Sequence, residues 1–302
     1  MFTKLDLKTR ELLCCPICKG DLIFETPIVC NTCNAKFPNI TLKTGNGELE
    51  SVLDFRLNYP IFAQPPNIKE WVKAQNDYIS FSNKIALADN YENYLSEIES
   101  VKEIYTTVFP LSDNILDVGG HQGRLRHFLE KNVNYVNCDP YPQIFENIGL
   151  QKNLLKAYPC LLQPCNFVAS FAEFLPFKKN SFNFIHMRSC LDHFIDPYMA
   201  LREGFRVLKN NGELIIGLSI MEKLEELNVV GKSNINMIII QIMNLFIKND
   251  DHHIFRFTRS NLQDLLGEIG FYITKEHWQK PPFNYCLYIT AKKIDINKAE
   301  NQ

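Results

Sequence analysis

Residues 115–123 read Ile-Leu-Asp-Val-Gly-Gly-His-Gln-Gly and lead directly into Arg-Leu-Arg-His-Phe-Leu-Glu at 124–130. This order predicts an apolar strand that ends in an acid, then a glycine turn, then an amphipathic helix. Glycines let a backbone approach a ligand closely, and a helix N-terminus offers free N–H groups, so the pattern predicts a nucleotide-binding turn. A dinucleotide fingerprint does not fit, because the G-x-G-x-x-G register from Gly119 places His121 and Arg124 where glycines are needed.

A different register, Asp-x-Gly-x-Gly-x-Gly, matches at Asp117, Gly119 and Gly123 and departs at His121. This stretch resembles the first motif of class I methyltransferases, which bind S-adenosylmethionine (SAM). Four later segments resemble further motifs of that family in the same order. Two additional segments near the C-terminus can supply the last two strands of the sheet. These segments are 135–139, 167–177, 181–193 and 200–216, followed by 270–274 and 285–291. The resemblance covers roughly residues 100–293 apart from one insertion.

The resemblance implies an α/β fold with a seven-stranded Rossmann-like sheet and helices on both faces. Asp139 ends the second strand 22 residues after Asp117, where a carboxylate can hold both ribose hydroxyls. The segment at 167–177 is similar to the one that wraps the adenine, and Phe171 stands where the family often has an acid. The residues implied to bind SAM are Asp117, Gly119, Gly120, Gly123, Asp139, Pro140, Phe171, Ala172 and Met187.

Two C-x-x-C knuckles, Cys15-Pro-Ile-Cys18 and Cys30-Asn-Thr-Cys33, stand near the N-terminus with eleven residues between them. Each knuckle turns two thiolates toward one point, so the pair predicts a closed tetrahedral zinc site with a structural role. Cys14 is interpreted as a bystander. The segment resembles the zinc-ribbon domain of a tRNA-methyltransferase activator subunit, which also occurs at the N-termini of bacterial methyltransferases. Without metal, a ribbon of about fifty residues has too little core to fold well.

The motifs divide the chain into a zinc ribbon at 1–56, a linker with N-terminal helices at 57–100, a methyltransferase domain at 101–293 and a tail at 294–302. An insertion at about 221–251 interrupts the core, and its apolar part at 236–247 reads as a mostly buried helix. This helix is expected either to cover the acceptor pocket as a lid or to form a homodimer contact. The two alternatives have equal weight.

Methyl transfer from a sulfonium is an in-line displacement, so the enzyme mainly aligns the acceptor and excludes water. A base is needed only where the acceptor loses its proton, as a hydroxyl does. Candidates for the base are His193, His252 and His253, with Asp192 as an orienting carboxylate. His193 is preferred because it lies just beyond the predicted fourth strand, where acceptors bind in this family.

Net charge is −2 with a pI near 6.4, which gives no overall attraction to nucleic acid or to anionic membranes. Ten cysteines without a visible secretion signal favour reduced thiols, metal ligation and a cytoplasmic location. The longest apolar stretch, 235–247, is too short to span a bilayer.

These observations leave three functional hypotheses. The first is a methyltransferase for a small or sugar-like metabolite. The second is an RNA base methyltransferase of the guanine type, whose zinc ribbon would contact RNA. The ribbon's cations between residues 12 and 53 are Lys19, Lys36 and Lys43 against several acids, which disfavours phosphate binding. The third is a scaffold that has lost catalysis, since the donor motifs depart from the family at His121 and Phe171.

Overall fold

The computed structural model describes residues 3–44, 47–56, 68–88, 90–223, 253–281 and 283–293. Residues 57–67 of the predicted linker region 57–100, the helix expected at 236–247 and the tail at 294–302 lie outside these residues. The expectations of a lid or of a dimer contact at 221–251 therefore stay predictions, as do the domain boundaries.

The N-terminal module begins with β1 (Thr3–Lys4) and α1 (Leu7–Leu12), whose first turn is capped by the Asp6 side chain. Three short antiparallel strands follow the first knuckle, and the second knuckle begins at the end of the middle one: β2 (Leu22–Ile23), β3 (Ile28–Cys30) and β4 (Lys36–Phe37). A hairpin of β5 (Asn39–Lys43) and β6 (Leu49–Asp54) closes the module. Two helices follow, α2 (Ile68–Ala88) and α3 (Tyr91–Glu103).

The main sheet is built from the strands β7 (Asn114–Val118), β8 (Asn134–Cys138), β9 (Cys165–Ala169), β10 (Phe182–Arg188), β11 (Leu208–Ser219), β12 (Phe271–Trp278) and β13 (Cys286–Lys293). Its helices are α4 (Lys152–Ala157), α5 (Pro197–Val207) and α6 (Arg259–Ile269). The strand order is β12-β13-β11-β10-β7-β8-β9, with β13 antiparallel to both of its neighbours and the other pairs parallel. The predicted seven-stranded α/β sheet is confirmed.

Alternate residues of the central strands enter two separate hydrophobic clusters. Leu116 packs into one cluster with residues of α5 and α6, whereas its neighbour Ile115 packs into the other with residues of α3 and α4. Successive side chains of a strand point to opposite faces, so the two clusters lie on opposite faces of the sheet. The predicted helices on both faces are confirmed, and strands covered on both sides explain the continuous apolar runs of the sequence.

The sheet is wider than predicted, because the N-terminal module adds strands to it. β6 pairs in parallel with β9 at Leu53↔Val168, β5 follows β6, and β1 pairs with the earlier part of β9. Within the described residues the sheet has ten strands, namely the predicted seven and three from the module. An unpaired edge strand exposes a row of N–H and C=O groups, and the module satisfies the edge of β9.

Candidate active site

The glycine loop after β7 has the backbone geometry that its sequence predicted. Gly119 and Gly123 have φ values of 68° and 81°, and His121, in place of the middle glycine, has φ 49°. A Cβ at Gly119 would lie 2.6 Å from the Cβ of Cys190, so a side chain there has no room. Burial lowers the pKa of His121 to about 4, which keeps its imidazole neutral.

The segment after the loop differs from the expected amphipathic α-helix. Residues Arg124–Phe128 form a five-residue 3-10 helix. The amide of Arg126 bonds to the carbonyl of Gly123 at 3.2 Å, and the amide of Leu129 bonds to that of Arg126 at 3.3 Å. The segment after the loop is therefore tighter and shorter than the sequence suggested.

Asp139 stands at the end of β8 as a buried carboxylate with 5% exposure. Its oxygens accept the backbone N–H groups of His121 at 3.1 Å and Tyr141 at 2.8 Å. Burial outweighs these two bonds and raises the pKa of Asp139 to about 7. The predicted ribose ligand is thus tied to the glycine loop by one of these bonds.

Two adjoining cavities open around the ends of these strands. The first, called the Asp139 cavity, has a volume of about 70 Å³ and is lined by Asp139, Pro140, Phe171, Ala172 and His193 among others. The second, called the Arg188 cavity, has a volume of about 310 Å³ and is lined by Asp117, Gly120, Glu97, Arg124 and Arg188 among others. Tyr78, Gly119 and Ser189 line both cavities.

Most residues predicted to bind SAM therefore line one or the other of two cavities that share three lining residues. Gly123 and Met187 do not line either cavity. Met187 is fully buried in the hydrophobic cluster that contains Leu116, and Gly123 caps the 3-10 segment.

Asp117 belongs to a buried hydrogen-bond chain that sequence reasoning missed. Its carboxylate accepts the Tyr135 hydroxyl at 2.5 Å and contacts Nδ1 of His186 at 2.7 Å, and Nε2 of His186 lies 2.8 Å from the Tyr105 hydroxyl. Burial raises the pKa of both tyrosines well above the ordinary value. The sequence signal that could have indicated this chain of hydrogen bonds is His186, a histidine inside the otherwise apolar strand β10. The contacts hold Asp117 firmly at the base of the glycine loop.

An ion-pair group in the Arg188 cavity was also missed. The Glu97 carboxylate accepts from Arg124 at 3.0 Å and from Arg188 at 3.1 Å. Burial favours the neutral acid, but the two guanidinium groups outweigh it and lower the pKa of Glu97. This group of three has one net positive charge, which the Asp117 carboxylate on the same cavity wall balances.

The predicted catalytic residues Asp192, His193 and His253 lie together in the structure. Nε2 of His193 is 3.8 Å from Oδ1 of Asp192, and Nε2 of His253 is 3.5 Å from Oδ2. The two imidazole centroids are 4.7 Å apart. His252 lies outside the described residues.

The four predicted zinc ligands converge as their spacing required. The Sγ atoms of Cys15 and Cys33 are 3.6 Å apart, those of Cys18 and Cys30 are 3.4 Å apart, and all four sulfurs lie within 4.8 Å of one another. A tetrahedral site with Zn–S bonds of about 2.3 Å has edges of about 3.8 Å, so the cluster fits zinc. Cys14 is buried and is not a member of this group.

None of the helices in the described ranges has the length and apolar character that crossing a membrane requires.

Comparisons with known proteins agree with this fold. Residues 116–216 match the family model described as "Methyltransferase domain". No curated protein matches the chain. A structure of Burkholderia thailandensis 1,6-didemethyltoxoflavin-N1-methyltransferase with bound S-adenosylhomocysteine is 17% identical, covers 77% of this chain and 92% of its own, and has a TM-score of 0.50.

A second similar structure is a complex between the Haloferax volcanii Trm112 methyltransferase activator and a methyltransferase. It is 10% identical, covers 71% of this chain and 98% of the matched chain, and has a TM-score of 0.50. At these identities the structures support the fold alone. The family match spans the glycine loop, β8 and β10 within a sheet of this strand order, so residues 116–216 form a methyltransferase domain.

Proposed function

We propose that the enzyme transfers the methyl group of SAM to a small or sugar-like molecule taken into the two adjoining cavities. The observation that carries this proposal is their common wall at Tyr78, Gly119 and Ser189. A donor that reaches from one cavity to the other passes this wall. The acceptor can then meet the methyl group inside the protein, where water is excluded.

The residues of the Asp139 cavity fit the adenosine half of SAM. Asp139 is buried and acidic and lines this cavity, as a ribose ligand must. Phe171 offers an aromatic surface to the adenine, and the ring of Trp71 supports it at a centroid distance of 5.8 Å. Asp117, Gly119 and Gly120, which line the Arg188 cavity, would hold the methionine half. When bound, SAM supplies the electrophilic methyl group.

The enzyme's own contribution is then to align the acceptor, exclude water and remove a proton where the acceptor carries one. His193 lines the Asp139 cavity and lies beside Asp192 and His253, so these three are the proposed catalytic group. In the Arg188 cavity, Glu97, Arg124 and Arg188 offer polar contacts to the acceptor or to the donor's methionine end.

We further propose that zinc bound by Cys15, Cys18, Cys30 and Cys33 has a structural role. The module it stabilises supplies β6, and the residues that follow β6 reach the Asp139 cavity. The amide of Phe55 bonds to the carbonyl of Ala169 at 2.8 Å, and Arg56 donates to the carbonyl of Pro140 at 3.1 Å. Pro140 lines that cavity, so the module supports the wall of the donor site.

The experiment that tests the acceptor class uses SAM with a labelled methyl group and cell extract separated into small molecules and RNA. The expected result is label in the small-molecule fraction. Label in RNA, with binding to structured RNA that weakens steeply as salt rises, would establish the RNA alternative instead. Absence of any SAM binding by the folded protein would contradict the proposal as a whole.

A further inference from the structure

Asp192, His193 and His253 form a compact group that we call the His–Asp cluster. One carboxylate oxygen and one ring nitrogen from each histidine all lie within 4.8 Å of one another. We propose that the His–Asp cluster binds one divalent first-row transition metal ion. This site is distinct from the four-cysteine cluster of the N-terminal module.

The distances within the cluster suit an ion between the side chains better than direct hydrogen bonds. The two Nε2 atoms lie 3.8 Å and 3.5 Å from the oxygens of Asp192. A hydrogen bond from N–H to oxygen spans about 2.7–3.2 Å. Two ligands on one ion, each bound at about 2.1 Å in a tetrahedral arrangement, lie about 3.4 Å apart. The two observed separations involve different oxygens of Asp192, and one ligand atom from each residue lies within 4.8 Å of the other two, so side-chain rotation would bring the three atoms to this spacing.

Hydrogen bonds to the backbone carbonyls of Asp192 and His193 connect three separate parts of the chain at the cluster. The carbonyl of Asp192 accepts the amides of Ile254 at 2.9 Å and Phe255 at 3.1 Å, which fixes the His253 segment beside it. The carbonyl of His193 accepts Nε1 of Trp71 at 3.0 Å and Nε2 of Gln75 at 3.2 Å. The site is therefore largely arranged before an ion enters, which lowers the cost of binding.

The ligand chemistry selects the kind of ion. Two imidazoles and one carboxylate suit zinc, iron, cobalt and manganese, and three protein ligands leave coordination positions open. The Asp192 side chain is 8% exposed, whereas those of His193 and His253 are 15% and 29% exposed, so the histidines face accessible space. The cysteine cluster offers four thiolates and a closed shell, as a structural ion requires.

The position of the His–Asp cluster at the Asp139 cavity suggests a role for the ion in methyl transfer. This role rests on the proposed function. His193 lines the Asp139 cavity together with Gly119 and Ser189. An acceptor hydroxyl bound to the ion loses its proton to water more readily, because the cation stabilises the alkoxide. The oxygen then forms a bond to the methyl carbon, the bond from carbon to sulfur breaks, and sulfur keeps its electron pair. In this assignment His193 is a metal ligand, and the acceptor atom is oxygen.

The test counts metal ions in the full-length protein. Protein loaded with excess Co²⁺ and then dialysed is measured by elemental analysis and by absorption spectroscopy. The wild type is expected to hold two equivalents. Asp192→Asn and His253→Gln are each expected to hold one, with the sulfur-to-cobalt charge-transfer bands of the cysteine site intact. His127→Ala removes a histidine that lines neither cavity, and this control should keep two.

One equivalent in the wild type, or two in both cluster variants, would overturn the metal proposal. Circular dichroism confirms that each variant is folded, and His193→Gln serves as a further variant where one of them is not. Calorimetric titration of the same samples with S-adenosylhomocysteine keeps the two proposals separate. Donor binding without a second metal refutes the metal site alone, whereas a second metal without donor binding refutes the proposed function alone.

Discussion

Replacing Asp139 by Asn tests the donor site at its most specific contact. The carboxylate is 5% exposed and accepts two backbone amides, so Asn fits the space but keeps one acceptor oxygen and no charge. A hydrogen bond to a charged group contributes about 1.5–3 kcal/mol. Losing it on a ribose hydroxyl should weaken SAM binding by about 2 kcal/mol, which is about thirtyfold in Kd.

Because the pKa of Asp139 is raised, the affinity for SAM should depend on pH, and the direction of this dependence can be predicted. Burial raises this pKa to about 7, so the protein without ligand is partly protonated near neutrality. Ribose hydroxyls donate to the ionised form, so the affinity for SAM should increase as pH rises and level off above about pH 8. The ionised fraction grows from about 0.1 at pH 6 to about 0.9 at pH 8, so the wild-type Kd should improve about ninefold.

Calorimetric titration with S-adenosylhomocysteine at pH 6, 7 and 8 measures both effects without turnover. Asp139→Asn should bind weakly and with little dependence on pH. Asp113→Asn is the matched control, because Asp113 is exposed, lines neither cavity and has φ 58°, which Asn also adopts readily. Wild-type affinity in folded Asp139→Asn, or wild-type affinity that falls as pH rises, would refute the ribose assignment.

Three further predictions concern other parts of the site. Cys30→Ser should lower the zinc content by one equivalent and reduce the melting temperature, as elemental analysis and calorimetry will determine. Glu97→Gln should destabilise the fold at neutral pH. The pKa of Glu97 is lowered in the folded protein, so its contribution to the free energy of unfolding is present above the reference pKa of 4.5 and is lost as pH falls. The free energies of unfolding of wild type and variant, measured by denaturant titration, should therefore converge in acid. His193→Ala should reduce kcat about a hundredfold if the acceptor loses a proton, and an unchanged kcat would remove His193 from the chemistry.

The sequence by itself determined the features that depend on short stretches of chain. The glycine loop, the acid at the end of β8 and the two cysteine knuckles each follow from residues whose spacing fixes their local geometry. A C-x-x-C turn directs its two sulfurs to one point wherever the turn lies. The apolar run before the glycine turn predicted the strand β7 from its own pattern, whereas the sheet of seven strands was implied by the resemblance of the later segments to a known family.

Only the tertiary structure decided which distant residues meet. His253 lies beside Asp192 because the chain after the insertion returns to the end of β10, and Glu97 on α3 lies between Arg124 and Arg188. Nothing in the local pattern of these residues differs from that of ordinary surface or core positions. The pairing of β6 with β9 is similar, because an alternating strand has the same pattern in a free hairpin as in a larger sheet. Contacts of this kind are set by the order and packing of whole elements.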